Sequence, residues 1–224
     1  MRIVLRIGGS VIASPINQTL IGEYADLLKV LKKKGHDVAV VVGGGALARD
    51  FIQVAKNLGL AERAQDEIAI SVSRIFAQLF IEKLGRLSCG SVPLTVEDAV
   101  KCVCDGKIAV MGGLKPGMTT DTVAALIAER LKADLLIKAT DQEGVYDKDP
   151  KKHADAVLLK HLHFEDLPKF FAENRHKAGI HQIIDPEAIK ILKHMKVKFV
   201  VLNGFKPDNV LLAVNGEKVG TIIE

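Results

Sequence analysis

Two rhythms of apolar residues alternate along the chain. Short apolar runs rich in Val, Ile and Leu occupy positions 3–7, 38–42, 108–111, 135–137 and 197–202. Runs this short and this apolar predict strands buried on both faces. Between them the spacing changes. Leu20, Ile21, Tyr24, Leu27, Leu28 and Leu31 recur at the three, four and seven spacing of a helix with one buried stripe. Ile68, Val72, Ile75, Phe76, Leu79 and Phe80 repeat it over 68–84, and 122–131 and 187–192 also read as helices. Strands alternating with helices predict an α/β fold around a mainly parallel sheet.

The residues that follow each run point to a binding edge. Positions 3–7 lead into Gly8-Gly9-Ser10, and 38–42 into Gly43-Gly44-Gly45. Positions 108–111 lead into Gly112-Gly113, 135–137 into Thr140-Asp141 and Gly144, and 197–202 into Asn203-Gly204. Ligands of open α/β sheets bind beyond the carboxyl ends of the strands. Several Gly-rich loops in register along one edge are a stronger signal than any one alone. No linker, repeat or low-complexity tract interrupts the pattern. The halves of the chain then read as lobes of one continuous sheet, each with its own ligand.

Composition adds exclusions. With 48% hydrophobic and 26% charged residues over 224 positions, the chain is neither disordered nor collagen-like. Aromatics are 4% with no Trp, too few for a stacking platform on single-stranded nucleic acid. The net charge is only +4, and its densest cluster is Lys32, Lys33 and Lys34 ahead of Gly35. That cluster reads as a solvated helix C-terminus, where cations suit the dipole. Arg2 and Arg6 interrupt the first apolar stretch, so no signal peptide is expected. No run is long enough to span a membrane, and a cytoplasmic protein is predicted. Cys89, Cys102 and Cys104 are odd in number, and the C-x-C pair has no second pair to complete a zinc site. They are expected to be buried thiols in a reducing compartment.

Two familiar nucleotide motifs nearly match and fail. Gly43-x-Gly45-x-x-Ala48 fits a relaxed dinucleotide fingerprint but follows the second strand, and Asp66 some 20 residues on lies in a helical stretch. The stretch from Gly112 to Thr119 has P-loop spacing, but Met118 stands where the motif needs Lys. Gly43-Gly44-Gly45-Ala46-Leu47-Ala48-Arg49 suits phosphate, with glycines admitting close backbone approach and Arg49 one helical turn in. Thr119 or Thr120 is a natural cap for the helix that follows, and Asp185 ahead of Pro186 is another. The histidines are His36, His153, His161, His163, His176, His181 and His194; only His161-x-His163 shares a face, and a third ligand is missing, so no metal site is expected. Signatures of serine or zinc hydrolases are absent.

Taken in order, these loops resemble the amino acid kinase family and, within it, the archaeal-type uridylate (UMP) kinases. The resemblance rests on Arg6-Ile-Gly-Gly-Ser10, Val41-Val-Gly-Gly-Gly-Ala-Leu-Ala-Arg49, Met111-Gly-Gly-Leu-Lys-Pro-Gly-Met-Thr-Thr-Asp121, Lys138-Ala-Thr-Asp-Gln-Glu-Gly-Val-Tyr-Asp-Lys-Asp-Pro150 and Ile184-Asp-Pro-Glu-Ala-Ile-Lys190. It implies a three-layer α/β/α sandwich, one domain over 1–224, with an acceptor lobe over about 1–130 and an ATP lobe over about 131–224. It also implies phosphoryl transfer from ATP, with Mg²⁺, to UMP. Gly8, Gly9, Ser10, Gly45 and Arg49 would line the donor phosphates, and Thr140, Tyr146 and Asp149 the adenosine end. Gly44, Asp66 and the loop of Leu114, Lys115, Pro116, Gly117, Met118, Thr119 and Thr120 would hold UMP. Arg6 and Lys138 would neutralise the transferring phosphate, with Asp121 and Asp185 orienting these cations or the metal shell. Many family members carry Lys at position 6, so Arg6 is a departure. Isopentenyl phosphate kinases resemble the chain too, but place a His shortly after the triple glycine; Ala46-Leu47-Ala48-Arg49 has none. Carbamate and acetylglutamate kinases are longer. A non-catalytic nucleotide sensor on the same fold is the alternative of a different class, and a nucleic-acid binder a third. The helix over 68–84 is more apolar than one buried face requires and predicts a subunit interface; the family suggests a hexamer.

Overall fold

The structure is a computed structural model that describes residues 1–167, 185–195 and 197–224. His176, His181 and Ile184 lie outside the described residues. The five predicted strands are present as β1 (Arg2–Ile7), β2 (Asp37–Val42), β3 (Ala109–Met111), β4 (Leu135–Thr140) and β8 (Lys198–Asn203); the short β5 (Val145–Tyr146), β6 (Leu158–Leu159), β7 (His161–Leu162) and β9 (Thr221–Ile223) are strands that no predicted run covers. Seven of them form one sheet in the order β3-β2-β1-β4-β8-β9-β7. All its pairings are parallel except β8 with β9. β5 and β6 make a separate antiparallel pair.

Strand order positions the cleft. The chain builds β1, β2 and β3 outward in one direction, then returns to place β4 on the other flank of β1. The loops after β1 and β4 therefore diverge, and the crevice between them is where such sheets take ligands.

Two apolar layers enclose the sheet. Ile3, Leu5 and Ile7 point to one face and pack with α2 (Gln18–Lys33), α4 (Glu62–Leu84) and α8 (Asp208–Val214). Val4, Val41 and Leu136 point to the other and pack with α5 (Val96–Cys104), α6 (Thr120–Leu131) and α7 (Pro186–Met195). The short α1 (Gly9–Ile12) follows β1, and α3 (Gly45–Asn57) packs alongside α4. Period-two alternation gives Arg6 the parity of Val4, so its side chain joins the α6 layer one residue before the strand ends. Lys138, its register partner on β4, has the same parity as Leu136. Each fully buried Leu or Ile here contributes about 2 kcal/mol of transfer free energy.

Helix ends follow the expected chemistry. The Asn17 side chain accepts from Leu20 N–H at 3.0 Å at the start of α2, and Thr119 accepts from Thr122 N–H at 3.1 Å at the start of α6. The α2 stripe includes Tyr24, which is fully buried and donates its hydroxyl to Gly204 O at 2.8 Å. α4 begins at Glu62, well before the apolar stripe that announced it at 68, because its first turns are polar and face solvent.

The cysteines require a correction. Cys89 and Cys102 form a disulfide with Cα atoms 5.7 Å apart, and Cys104 is exposed. Cys102 lies on the inner face of α5, against the segment that carries Cys89. Two residues further, the 3.6-residue period turns Cys104 to the opposite side. His161 and His163 instead bond Glu224, through its carboxylate at 3.0 Å and its main-chain oxygen at 3.3 Å. Among the described residues no helix is long and apolar enough to cross a membrane.

Candidate active site

A cleft of about 890 Å³ opens beyond the carboxyl ends of β1 and β4. Its floor is two glycine loops in backbone contact. A methyl group on Gly9 would stand 2.1 Å from Gly45 N, and Gly45 itself has φ +61°, so neither position admits another residue without moving a loop. Ser14 bridges the same two loops, donating to Gly9 O at 3.2 Å and accepting from Ala46 N–H at 2.6 Å. Ser10 and Arg49 border this floor.

Over the floor lies a charged cluster from three elements. Arg6 on β1 and Lys138 on β4 both reach Asp121 in the first turn of α6. Arg6 Nε lies 2.8 Å from Asp121 Oδ1, without the alignment of a hydrogen bond, while Lys138 Nζ holds Oδ2. Arg6 Nη2 also donates to Thr120 Oγ1 at 3.0 Å. Burial pushes the Asp121 carboxyl up, but Arg6 and Lys138 outweigh it and hold it below the usual carboxylate value. Burial lowers the Lys138 ammonium against the pull of Asp121. The cluster brings two cationic side chains together beside the glycine floor, with Asp121 between them and Asp185 also acting on Lys138, and paired cations suit phosphate.

The far wall is the loop from β3 to α6, carried by α4. Asp66 accepts from Gly117 N–H at 2.8 Å. Ser73 accepts from Gly113 N–H at 2.7 Å, and Arg74 donates to Gly113 O and Leu114 O at 3.1 and 3.0 Å. The opposite wall comes from Thr140, Asp141 and Lys151, with Lys151 Nζ 3.1 Å from the Asp141 carboxylate. Burial raises the Asp141 carboxyl, and Lys151 brings it back below its usual value.

The amino acid kinase family model matches residues 1–203. The chain is 40% identical to a uridylate kinase of Methanobrevibacter smithii over 221 residues, covering 99% of this chain and 98% of that one. It is 42% identical to a uridylate kinase of Methanocaldococcus jannaschii over 226 residues, with both chains fully covered. Among solved structures, uridylate kinase from Archaeoglobus fulgidus superposes with a TM-score of 0.90 at 38% identity over the whole of both chains. The chain belongs to the amino acid kinase family.

On this family scaffold, most residues singled out from the sequence converge on one cleft. Arg6, Gly9, Ser10, Gly44, Gly45, Arg49, Asp66, Lys115, Gly117, Met118, Thr119, Thr120, Asp121, Lys138 and Thr140 all line it. Gly8, Leu114 and Pro116 lie next in sequence to lining residues without lining it themselves. A methyl on Gly8 would come within 3.0 Å of Arg6 Nη1. Tyr146 stands on β5, off the lining, and Asp149 accepts from Lys151 N–H at 3.0 Å in a turn. Asp185 accepts hydroxyl protons from Thr119 and Thr122, and its other oxygen caps α7 by accepting from Glu187 N–H at 2.9 Å. It thereby ties the starts of α6 and α7 together. Sequence reasoning missed Ser73, Gln142 and Lys151, which also line the cleft, and Arg74 behind it, and named Gly43 and Asp141 only within longer loops. Gly43 stands within the triple-glycine motif, and Asp141 and Gln142 follow Thr140 directly. Nothing in the spacing of Ser73 and Arg74 separates them from ordinary polar residues of an apolar helix.

Proposed function

We infer that the protein is a uridylate kinase, moving the γ-phosphoryl group of ATP to the phosphate of UMP and releasing UDP and ADP. What carries this reading is the cationic pair of Arg6 and Lys138, side by side at the centre of a glycine-floored cleft, in a chain about 40% identical to uridylate kinases over its full length. The nucleophile is an oxygen of the acceptor phosphate, whose second pKa is about 6, so it arrives largely ionised and needs no general base. Catalysis then reduces to alignment and charge neutralisation.

In this reading Gly8, Gly9, Ser10, Gly45 and Arg49 receive the donor phosphates, and Thr140, Tyr146 and Asp149 the adenosine end. Gly44, Asp66 and the loop from Leu114 to Thr120 receive UMP. The acceptor lobe spans about 1–130 and the ATP lobe about 131–224. Arg6 and Lys138 follow the charge as it moves between the phosphates, with Asp121 fixing both, and Asp185 acts through Thr119 and Thr122. No group of three His, Cys, Asp or Glu side chains suited to a metal occurs among the described residues, and the Asp121 oxygens already face two cations. This donor set fits an Mg²⁺ that arrives on the triphosphate oxygens. Such an ion neutralises phosphate charge when bound.

The surface supports an oligomer. Ile75 and Leu79 of α4 are 59% and 47% exposed, beside Phe51, Val54 and Leu58 of α3. We read this strip as a contact between copies in a cytoplasmic homohexamer.

The deciding assay is ADP release from MgATP with UMP, CMP, dTMP, isopentenyl phosphate or no acceptor. Strong preference for UMP is expected. Turnover with isopentenyl phosphate alone would keep the fold and overturn the acceptor assignment. ATP binding with no turnover on any acceptor would favour a sensor.

A further inference from the structure

Arg74 does not line the cleft, yet it determines the shape of a wall that does. From α4 its Nε and Nη2 catch two consecutive carbonyls, Gly113 O at 3.1 Å and Leu114 O at 3.0 Å. A guanidinium is a rigid planar fork, and bonds from a charged donor are about twice as strong as neutral ones. Ser73 beside it accepts from Gly113 N–H at 2.7 Å and donates onward to Ile70 O at 2.6 Å. A methyl on Gly112 would stand 2.6 Å from Ser73 Oγ, so the chain lies directly on the helix here. The peptide planes from 112 to 115 are thus fixed by α4 and not by the loop's own sequence.

Each plane has a second edge. Peptides are planar and trans, so carbonyls turned toward Arg74 turn the N–H groups of Leu114 and Lys115 the opposite way. Neither N–H donates to another described residue. Lys115 lines the cleft, and an N–H donor of fixed orientation there suits a carbonyl oxygen.

We propose that Arg74 is a positioning residue for acceptor recognition, holding the peptide that carries the Lys115 N–H, at the cleft wall, toward the base of the acceptor nucleotide. The inference rests on the uridylate kinase reading and deepens it. A base presenting carbonyl oxygens is taken, whereas cytosine, with an amino group in place of one oxygen, meets donor with donor. Arg74 is in this way a source of uracil selectivity without touching the substrate.

Steady-state kinetics of the full chain test it, with Arg74→Gln and Arg74→Lys assayed on UMP, CMP and ATP. Arg74→Gln is expected to raise KM for UMP about tenfold or more and to lower the UMP-to-CMP ratio of kcat/KM at least about fivefold, with KM for ATP within about twofold. Arg74→Lys keeps the charge but not the fork and recovers only part. An unchanged KM for UMP, an equal rise for both substrates, or full recovery by Lys overturns the proposal. If Arg74→Gln fails to fold, Ser73→Ala, which loosens the same planes from Gly113 N–H, is judged by the same ratio. If the unmodified protein does not turn over UMP, the uridylate kinase reading falls by itself. Amide exchange over 112–118 then decides the positioning claim: faster exchange in the Arg74 variant sustains it, and equal exchange overturns it.

Discussion

Arg6 and Lys138 converge on the Asp121 carboxylate, and two cationic side chains side by side are the useful property. Placing three charges in a site this enclosed costs desolvation that their mutual attraction only partly returns. In the uridylate kinase reading, the phosphates of the two nucleotides bring negative charge to this cationic pair. Arg6→Ala is therefore expected to lower kcat by tenfold or more, a loss of about 1.4 kcal/mol of transition-state stabilisation. A smaller fall in steady-state turnover would mean that Arg6 is not a transition-state contact. At this scale the sequence was legible where chemistry is local. Arg6, Asp121 and Lys138 stand in motifs next to glycines or caps, and their types suit phosphate. Ser73 and Arg74 were not legible, because their partners lie about 40 residues away and exist only once β3 has packed on α4. The Cys89–Cys102 pair was hidden for the same reason.

The elements divide into those that tolerate change and those that do not. Gly9 and Gly45 bring α1 and α3 into backbone contact, and this contact forms the cleft floor. Gly22 sits inside α2 with open space around its Cβ position. Two identical substitutions should then act in opposite directions. Gly22→Ala is expected to stabilise by about 0.5–1 kcal/mol, since alanine is the better helix former. Gly9→Ala is expected to lower the denaturant midpoint and abolish turnover. Equal midpoints for the two variants would contradict a cleft floor that depends on glycine. The strands and long helices were readable because each carries its period over enough residues. The two- and three-residue strands β5, β6, β7 and β9 were not, because they are too short to hold a period and form only against partners distant in the chain.

At the scale of the whole molecule, the apolar strip on α3 and α4 is the feature that a monomer explains least. Large exposed apolar patches on one face mark interaction sites. Ile75→Asp with Leu79→Lys, two changes outside the cleft, is expected to convert the protein to a smaller species in sedimentation velocity. An unmodified protein that is already monomeric at micromolar concentration would overturn the hexamer. The parallel sheet and its binding edge could be anticipated from the order of runs and loops, since strands that end in Gly-rich turns leave few topologies open. The antiparallel return of β9 along β8 could not, because nothing local distinguishes its direction.

Tyr24, sealed under the sheet with its hydroxyl on Gly204 O, makes the chain its own spectroscopic probe. There is no tryptophan and only one other tyrosine, so its phenol dominates what ultraviolet light can report about the core. Burial raises its ionisation well above the ordinary phenol value. Folded protein then retains a proton that unfolded protein releases, so the stability this group confers is intact below a pH of about 10 and is lost as pH climbs past it. In an alkaline titration followed by tyrosinate absorbance, the native chain should stay at least one phenol short of its full complement. The missing phenolate should appear in the same narrow step as the loss of helical circular dichroism, so that a single wavelength reads the integrity of the whole molecule.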